Sequence, residues 1–205
     1  MIANLKEIIR QEVEAIQNIP LTDAYDKAIE LIVEQVHRKK GKLVCSGMGK
    51  AGQIASNLAT TFSSTGTTAC FLHPSEAQHG DLGILRENDV MLVISNSGKT
   101  REIVELLILA KKLVPDIQFI VITSNGKSAL AKNSNVCLLT GNPSEVCPLG
   151  LTPTTSTTVM TVMGDLLVVE TMKKIGFTSS DYAKRHHGGY LGAVSRKKSK
   201  EDTVE

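Results

Sequence analysis

Tryptophan is absent from this chain, and three tyrosines and four phenylalanines bring the aromatic share to only 3%. Proteins that hold single-stranded nucleic acid need rows of rings over a basic groove, and that platform is missing. An excess of one charge is missing too: 23 basic residues face 21 acidic ones, a formal net charge of +2. The basic cluster Arg196-Lys197-Lys198 reads as part of a solvated tail. No apolar run approaches the ~18 residues that a membrane span needs. The N-terminus carries Lys6, Glu7, Arg10, Glu12 and Glu14 where an export signal would be apolar. The expectation is a cytoplasmic protein with neither a nucleic acid nor a membrane as partner. Cysteines are few, and Cys45, Cys70, Cys137 and Cys147 show no C-x-x-C spacing. Three of them sit in strand-like runs, where cysteine behaves as a small hydrophobe, so reduced core thiols are expected.

What is present is an alternation of patterns over 205 residues, the length of one domain with decorations. Met1 to Ile19 has apolar residues at helical spacing: Leu5, Ile8, Ile9, Val13 and Ile16. Pro20 ends that helix, and Thr22 is the expected cap of a second, with Tyr25, Ile29, Ile32, Val33 and Val36 on one face. These helices, residues 1–40, precede any strand and should pack on the domain or on a partner subunit. Short strands follow at Lys42 to Ser46, Ala69 to His73, Val90 to Ser95, Gln118 to Thr123 and Val136 to Thr140. Helices separate them, and a long one runs from about Thr154 to Lys174. Strands alternating with helices predict a parallel sheet covered on both faces, with ligands at the carboxyl ends of the strands. The domain is expected over residues 41–194, with a polar tail over 195–205.

The most informative turn is Ser95-Asn96-Ser97-Gly98-Lys99-Thr100, between the third strand and the helix from Glu102 to Leu113. Three hydroxyls, an amide and a glycine at a helix start make a cradle for a phosphate: free N–H groups point outward and the helix dipole favours an anion. A small phosphate ester is the implied ligand. The earlier turn Gly47-Met48-Gly49-Lys50-Ala51-Gly52 matches G-x-G-x-x-G, the dinucleotide fingerprint. Its context disagrees, because the next strand ends Phe71-Leu72-His73-Pro74 with no acid for a ribose. Gly47 and Gly49 are instead expected to let a sugar approach the backbone, with Lys50 supplying positive charge. Four further segments bring titratable groups to loops: His79, Glu102, Glu145, and the pair His186 and His187. Each has a plainer reading, since a Glu at a helix start often serves the dipole and a loop His is often just solvated.

Taken together these segments resemble a known family, the sugar isomerase (SIS) domain of arabinose-5-phosphate isomerases. The matching words are Ser46-Gly47-Met48-Gly49-Lys50, Thr61-Phe62-Ser63-Ser64-Thr65-Gly66, Phe71-Leu72-His73-Pro74, His79-Gly80-Asp81-Leu82-Gly83, Ser95-Asn96-Ser97-Gly98, Cys147-Pro148-Leu149-Gly150-Leu151, and Pro153-Thr154-Thr155-Ser156-Thr157-Thr158 with Met163-Gly164-Asp165. They span about residues 40 to 192. The resemblance implies an α/β fold, a three-layer α/β/α sandwich with a five-stranded parallel sheet, assembled as a homotetramer with shared active sites. It implies interconversion of D-ribulose 5-phosphate and D-arabinose 5-phosphate, feeding Kdo synthesis for lipopolysaccharide or capsule. By motif, Lys50, His79, Glu102, Glu145 and His186 fall on active-site positions, and Ser46, Ser95, Ser97 and Thr100 on ligand-binding turns. Three departures stand out. Lys99 replaces a frequent Glu, His187 replaces a Pro and so competes with His186 for the catalytic place, and the CBS modules of longer members do not follow.

Aldose–ketose isomerisation through a cis-enediol needs a base over C1 and C2 and an acid or electrophile at the oxygens. It requires no metal and no cofactor. Glu145 is the expected base, its pKa raised by burial, with Glu102 as the alternative. His79 and His186 would move protons at the sugar oxygens while Lys50 stabilises negative charge. The histidines could also take up a stray inhibitory metal. Competing readings are an isomerase of another sugar phosphate and a phosphosugar sensor without activity. CMP-Kdo is a further expected feedback ligand.

Overall fold

The computed structural model describes residues 1–201. Among the described residues one sheet forms, with strands β1 Leu43–Gly47, β2 Ala69–Phe71, β3 Val90–Ile94, β4 Gln118–Thr123 and β5 Val136–Leu139. Its order is β2-β1-β3-β4-β5 and every pair is parallel. The helices are α1 Ile2–Gln17, α2 Ala24–Ile32, α3 Gly49–Ser64, α4 Pro74–Ala77, α5 Arg101–Leu113, α6 Ala129–Lys132, α7 Thr155–Lys174, α8 Ser179–Ala183 and α9 Gly189–Glu201. Helices on both faces of a parallel sheet give the expected three-layer sandwich.

The strands alternate between two cores. In β3, Val90, Leu92 and Ile94 turn to the layer of α2, α3 and α7, where Leu58, Phe62, Met163 and Leu167 meet them. Met91 and Val93 turn to the layer of α5 and α6, against Ile103, Leu106, Ala110 and Leu130. Every residue of β1 and β3 is buried, which is why β3 reads as an unbroken apolar run and β1 carries Leu43, Val44 and Cys45 in succession. Each large side chain removed from water in this way contributes about 1.5–3 kcal/mol.

β1 and β3 are neighbours although α3 and β2 separate them in the chain. The chain leaves β1 toward one edge of the sheet and returns to cross toward the other, so a crevice opens between the loops after β1 and β3. At the amino edge the same two strands are fastened by Asp89, 1% exposed. It accepts from the backbone N–H of Lys42 at 2.9 Å, the backbone N–H of Arg86 at 2.8 Å and Lys42 Nζ at 2.5 Å.

Three expectations need correction. The second helix starts a residue later than Thr22 implied: Asp23 occupies the cap position, and Thr22 Oγ1 accepts the Ala24 N–H at 3.3 Å. That helix widens into a π segment at Val33–Arg38, closed by Lys39 N–H to the Glu34 carbonyl at 3.0 Å. The widening buries Ile32, Val33 and Val36 and brings His37 Nε2 to 3.0 Å from Thr67 Oγ1. The segment from Ser195 is helical, continuing α9 to Glu201, with Arg196, Lys197 and Lys198 exposed. Ser195 is 7% exposed, and its hydroxyl donates to the Gly192 carbonyl at 3.1 Å. Arg196 donates to the His187 carbonyl at 3.3 Å. The tail expected over 202–205 lies outside the described residues. Among the described residues no helix is long and apolar enough to cross a membrane.

Replacing Asp89 by alanine leaves two backbone donors and a half-buried ammonium without their acceptor. It should lower the unfolding free energy by about 3 kcal/mol, read as a fall in the urea midpoint at unchanged slope. An unmoved midpoint would mean that the two strands are held without it.

Candidate active site

The loop after β1 divides its glycines between two tasks. A Cβ on Gly47 would lie 2.7 Å from the Ala51 carbonyl oxygen, and one on Gly52 would lie 2.6 Å from the Gly47 oxygen. These two glycines let β1 press against the first turn of α3, so Gly47 serves helix packing rather than the approach of a sugar. Gly49 differs, with φ +59° and open space around its Cβ position. Lys50 beside it is exposed. Ser46 also leaves the expected binding set: it is fully buried, and its hydroxyl donates to the Leu72 carbonyl at 2.7 Å. An inward position on β1 ties that strand to the chain leaving β2 instead of facing a ligand.

The loop after β3 is held from behind by the end of β4. The Asn96 carbonyl accepts from Ser124 N–H at 2.9 Å, Thr123 Oγ1 at 3.0 Å and Ser124 Oγ at 2.8 Å. Asn125 Nδ2 donates to the Ser97 carbonyl at 3.2 Å. Ser95 and Thr100 share a hydroxyl hydrogen bond of 3.1 Å across the mouth of the turn. Gly98 has φ +63°, and a Cβ there would collide with Ser128 Oγ, so only glycine fits. Ser97 is exposed, and Asn96 Oδ1 is buried without a partner. The supporting residues Thr123 to Asn125 and Ser128 were missed by the sequence reading. The turn-forming run Ser124-Asn125-Gly126 after a strand was the available signal.

Neither α3 nor α5 has a side-chain cap. A helix leaves its first N–H groups without intrahelical acceptors. Two such ends, after adjacent strands, therefore open on one crevice with their dipoles aimed at an anion. Glu102 lies half-buried in the first turn of α5. His79 is exposed just after α4, which is tied to α5 by Gln78 Nε2 to Glu105 Oε2 at 2.9 Å.

Glu145 lies beyond β5 and caps α7. Its Oε2 accepts three bonds: Thr154 N–H at 2.7 Å, Thr154 Oγ1 at 2.9 Å and Ser156 N–H at 3.2 Å. The expectation of a raised pKa is overturned. Burial does push this carboxyl up, but the bonds from Ser156 and Thr154 together outweigh it and hold it below the ordinary value. The cap therefore stabilises the fold above the usual carboxylate range and is lost as the pH falls through the lowered pKa. A cleft of about 350 Å³ lies between the first turns of α3 and α7, lined by Lys50, Gln53, Asn57, Pro153 and Thr157.

The histidines near the C-terminus are not brought to this crevice within one chain. α3 and α7 both start at the carboxyl edge and run ~24 Å and ~30 Å toward the other. Past their far ends, a Cβ on Gly66 would touch the Phe177 ring at 2.7 Å. Phe177 meets Tyr182 edge-on at 6.5 Å, and Tyr182 stacks on His186 at 3.7 Å with ring planes 6° apart. His186 Nδ1 lies 3.0 Å from the Tyr182 carbonyl, so the ring is fixed, whereas His187 is exposed. Among the described residues no group of three or more His, Cys, Asp or Glu side chains is placed to hold a metal ion.

Cys147 also departs from expectation, since it is not a core thiol. A hydroxyl bond from Thr152 and N–H groups of Thr152, Leu149 and Leu151 lower its pKa to about 6. Burial pushes the thiols of Cys45, Cys70 and Cys137 the other way.

The SIS domain profile matches residues 37–170. Arabinose 5-phosphate isomerase KdsD of Francisella tularensis is 46% identical over 193 residues, 93% of this chain and 58% of the relative. The chain thus spans a little over half the length of the curated relatives it matches. A candidate phosphosugar isomerase involved in capsule formation, from Bacteroides fragilis, superposes with a TM-score of 0.92 at 69% identity, covering 93% of this chain and 99% of that one. The structure of E. coli CFT073 c3406 in complex with arabinose 5-phosphate superposes with a TM-score of 0.83 at 36% identity, covering 90% and 96%.

Iodoacetamide should label Cys147 ahead of Cys45, Cys70 and Cys137 at neutral pH, with a half-maximal rate at a pH of about 6. Peptide mass spectrometry over a pH series checks this. Even labelling of all four thiols would show that the Leu149 to Thr152 donors do not hold the thiolate.

Proposed function

The chain belongs to the SIS domain family, and on that premise we propose that it interconverts D-arabinose 5-phosphate and D-ribulose 5-phosphate. One observation carries the reading: two uncapped helix N-termini and a hydroxyl turn meet at the β1–β3 crevice, and a cleft beside Lys50 reaches the start of α7, the turn that holds the Glu145 carboxylate. The KdsD relatives and the neighbour solved with arabinose 5-phosphate support this substrate.

The phosphate sits on the turn of Asn96, Ser97, Gly98 and Thr100, near the start of α5, and its binding energy orients the sugar chain. The reacting carbons lie at the other end of the substrate, toward α7. There Glu145 is held by donors of Thr154 and Ser156 at the start of α7. The ionised carboxylate removes the C2 proton of the aldose, and the aldehyde oxygen gains the charge of an enediolate. Lys50 stabilises that charge. His79 protonates O1 and receives the proton from the C2 hydroxyl as the carboxyl returns its own proton to C1. Glu102, close to the phosphate, orients the middle of the chain. Ring-fixed His186 acts in the site of a second copy, so sites are shared within a homotetramer. The enzyme works in the cytoplasm and feeds Kdo synthesis for lipopolysaccharide or capsule, with CMP-Kdo as a feedback ligand.

Purified protein should convert arabinose 5-phosphate with EDTA present and leave ribose 5-phosphate, glucose 6-phosphate and free arabinose unchanged. Binding without turnover would instead mark a phosphosugar sensor. Lys50→Ala and His186→Ala should each be inactive alone, and subunit exchange between them should restore activity. A mixture that stays inactive, in which mixed oligomers are verified by mass, removes the shared site.

A further inference from the structure

Glu12, on α1, entered the sequence reading only as a charge. Its Oε1 accepts the Thr155 hydroxyl at 2.9 Å, and its Oε2 is buried without a partner. Thr155 is 1% exposed, and its Oγ1 in turn accepts the Val146 N–H at 3.2 Å. A hydroxyl has one proton to give. Committing it to Glu12 leaves a lone pair facing Val146, next to Glu145. The Glu145 side chain is meanwhile held by the residues on either side of Thr155, Thr154 and Ser156. Two ties therefore interlock: residue 145 to the first turn of α7 through its carboxylate, and residue 146 to the same turn through Thr155, whose proton is fixed by α1.

We propose that Glu12 is a positioning residue for the reaction, which acts through the Thr155 hydroxyl to fix the backbone that orients Glu145 at the start of α7. This rests on the reading of Glu145 as the base. It gives α1 a task in the site besides its packing on α7. Glu12 itself touches no substrate. Its removal alters the orientation of the Glu145 carboxylate, so it lowers turnover rather than affinity. An uncharged acceptor of the same shape does the same job, because the bond needs only an oxygen facing Thr155.

The test uses the full chain and the variants Glu12→Ala and Glu12→Gln, each alone and combined with Glu145→Gln. Glu12→Ala should lower kcat about tenfold with KM for arabinose 5-phosphate nearly unchanged, equivalent to ~1.4 kcal/mol. Glu12→Gln should recover most of that loss. In the Glu145→Gln background, Glu12→Ala should cost nothing further, as expected of residues that act as one unit. An additive loss, or wild-type turnover in Glu12→Ala, overturns the proposal. A second readout needs no isomerase activity: the pH midpoint of Cys147 alkylation, two residues past Glu145. Loosening the loop in Glu12→Ala should raise that midpoint, whereas loss of a nearby negative charge alone would lower it. The midpoint should not rise in Glu12→Gln. A midpoint unmoved or lowered in Glu12→Ala overturns the proposal whether or not the chain turns over the sugar.

Discussion

The site depends on β1 and β3 lying side by side. Their five paired residues, Leu43 with Val90 through Gly47 with Ile94, end level with one another. The loops that follow must therefore open at the same height, one on each side of the crevice. α3 and α5 then start there, because a parallel crossover brings the chain back along the sheet and leaves each helix pointing its N-terminus at the carboxyl edge. Gly47 and Gly52 let α3 close onto β1, Gly98 lets the second loop close onto Ser128, and Asp89 fixes the other ends of the same strands. A change at any of these points alters the separation of the two helix ends.

That geometry sets the electrostatics. Two helix N-termini attract an anion, and Lys50 adds to them. α7 contributes a third N-terminus, but Glu145 already occupies it. The third dipole thus acts on a side chain of the protein rather than on the ligand. A carboxylate held so firmly is ionised and oriented. It differs from the buried, proton-hungry carboxylate that burial alone would have produced. The same run of backbone donors, continued through Leu149, Leu151 and Thr152, accounts for the acidic thiol of Cys147.

The described chain also leaves apolar surface open. Ile2, Leu5 and Ile9 of α1 are 71%, 54% and 61% exposed, and Tyr190 and Leu191 of α9 are 80% and 57% exposed. Both helices sit at the margins of the sandwich, and α9 directly follows the segment that carries His186. The histidine stacked on Tyr182 lies past the far end of α7, a helix ~30 Å long that starts at the carboxyl edge. The proposed sharing of sites between copies draws on these positions.

Much of the fold was legible because it depends on local pattern. An unbroken apolar run marked β3, helical spacing marked α1 and α2, an amphipathic run marked α5, and the hydroxyl turn after β3 marked the proposed anion site. Residue identity alone could not divide the glycines, since Gly47 and Gly49 look alike until α3 is seen against one of them. Nor could it place Ser46, which points inward, or the helix that continues through Ser195. The pKa of Glu145 and the role of Glu12 depend on contacts between segments far apart in the chain: Thr155 is 143 residues from Glu12. The sequence by itself determined which elements form and which residue types could bind a phosphate and move a proton, because propensity and periodicity are properties of neighbouring residues. Only the tertiary structure decided which of those residues face the crevice, which are used in holding it, and how their protons are shifted, because burial and hydrogen bonding are properties of the packed chain.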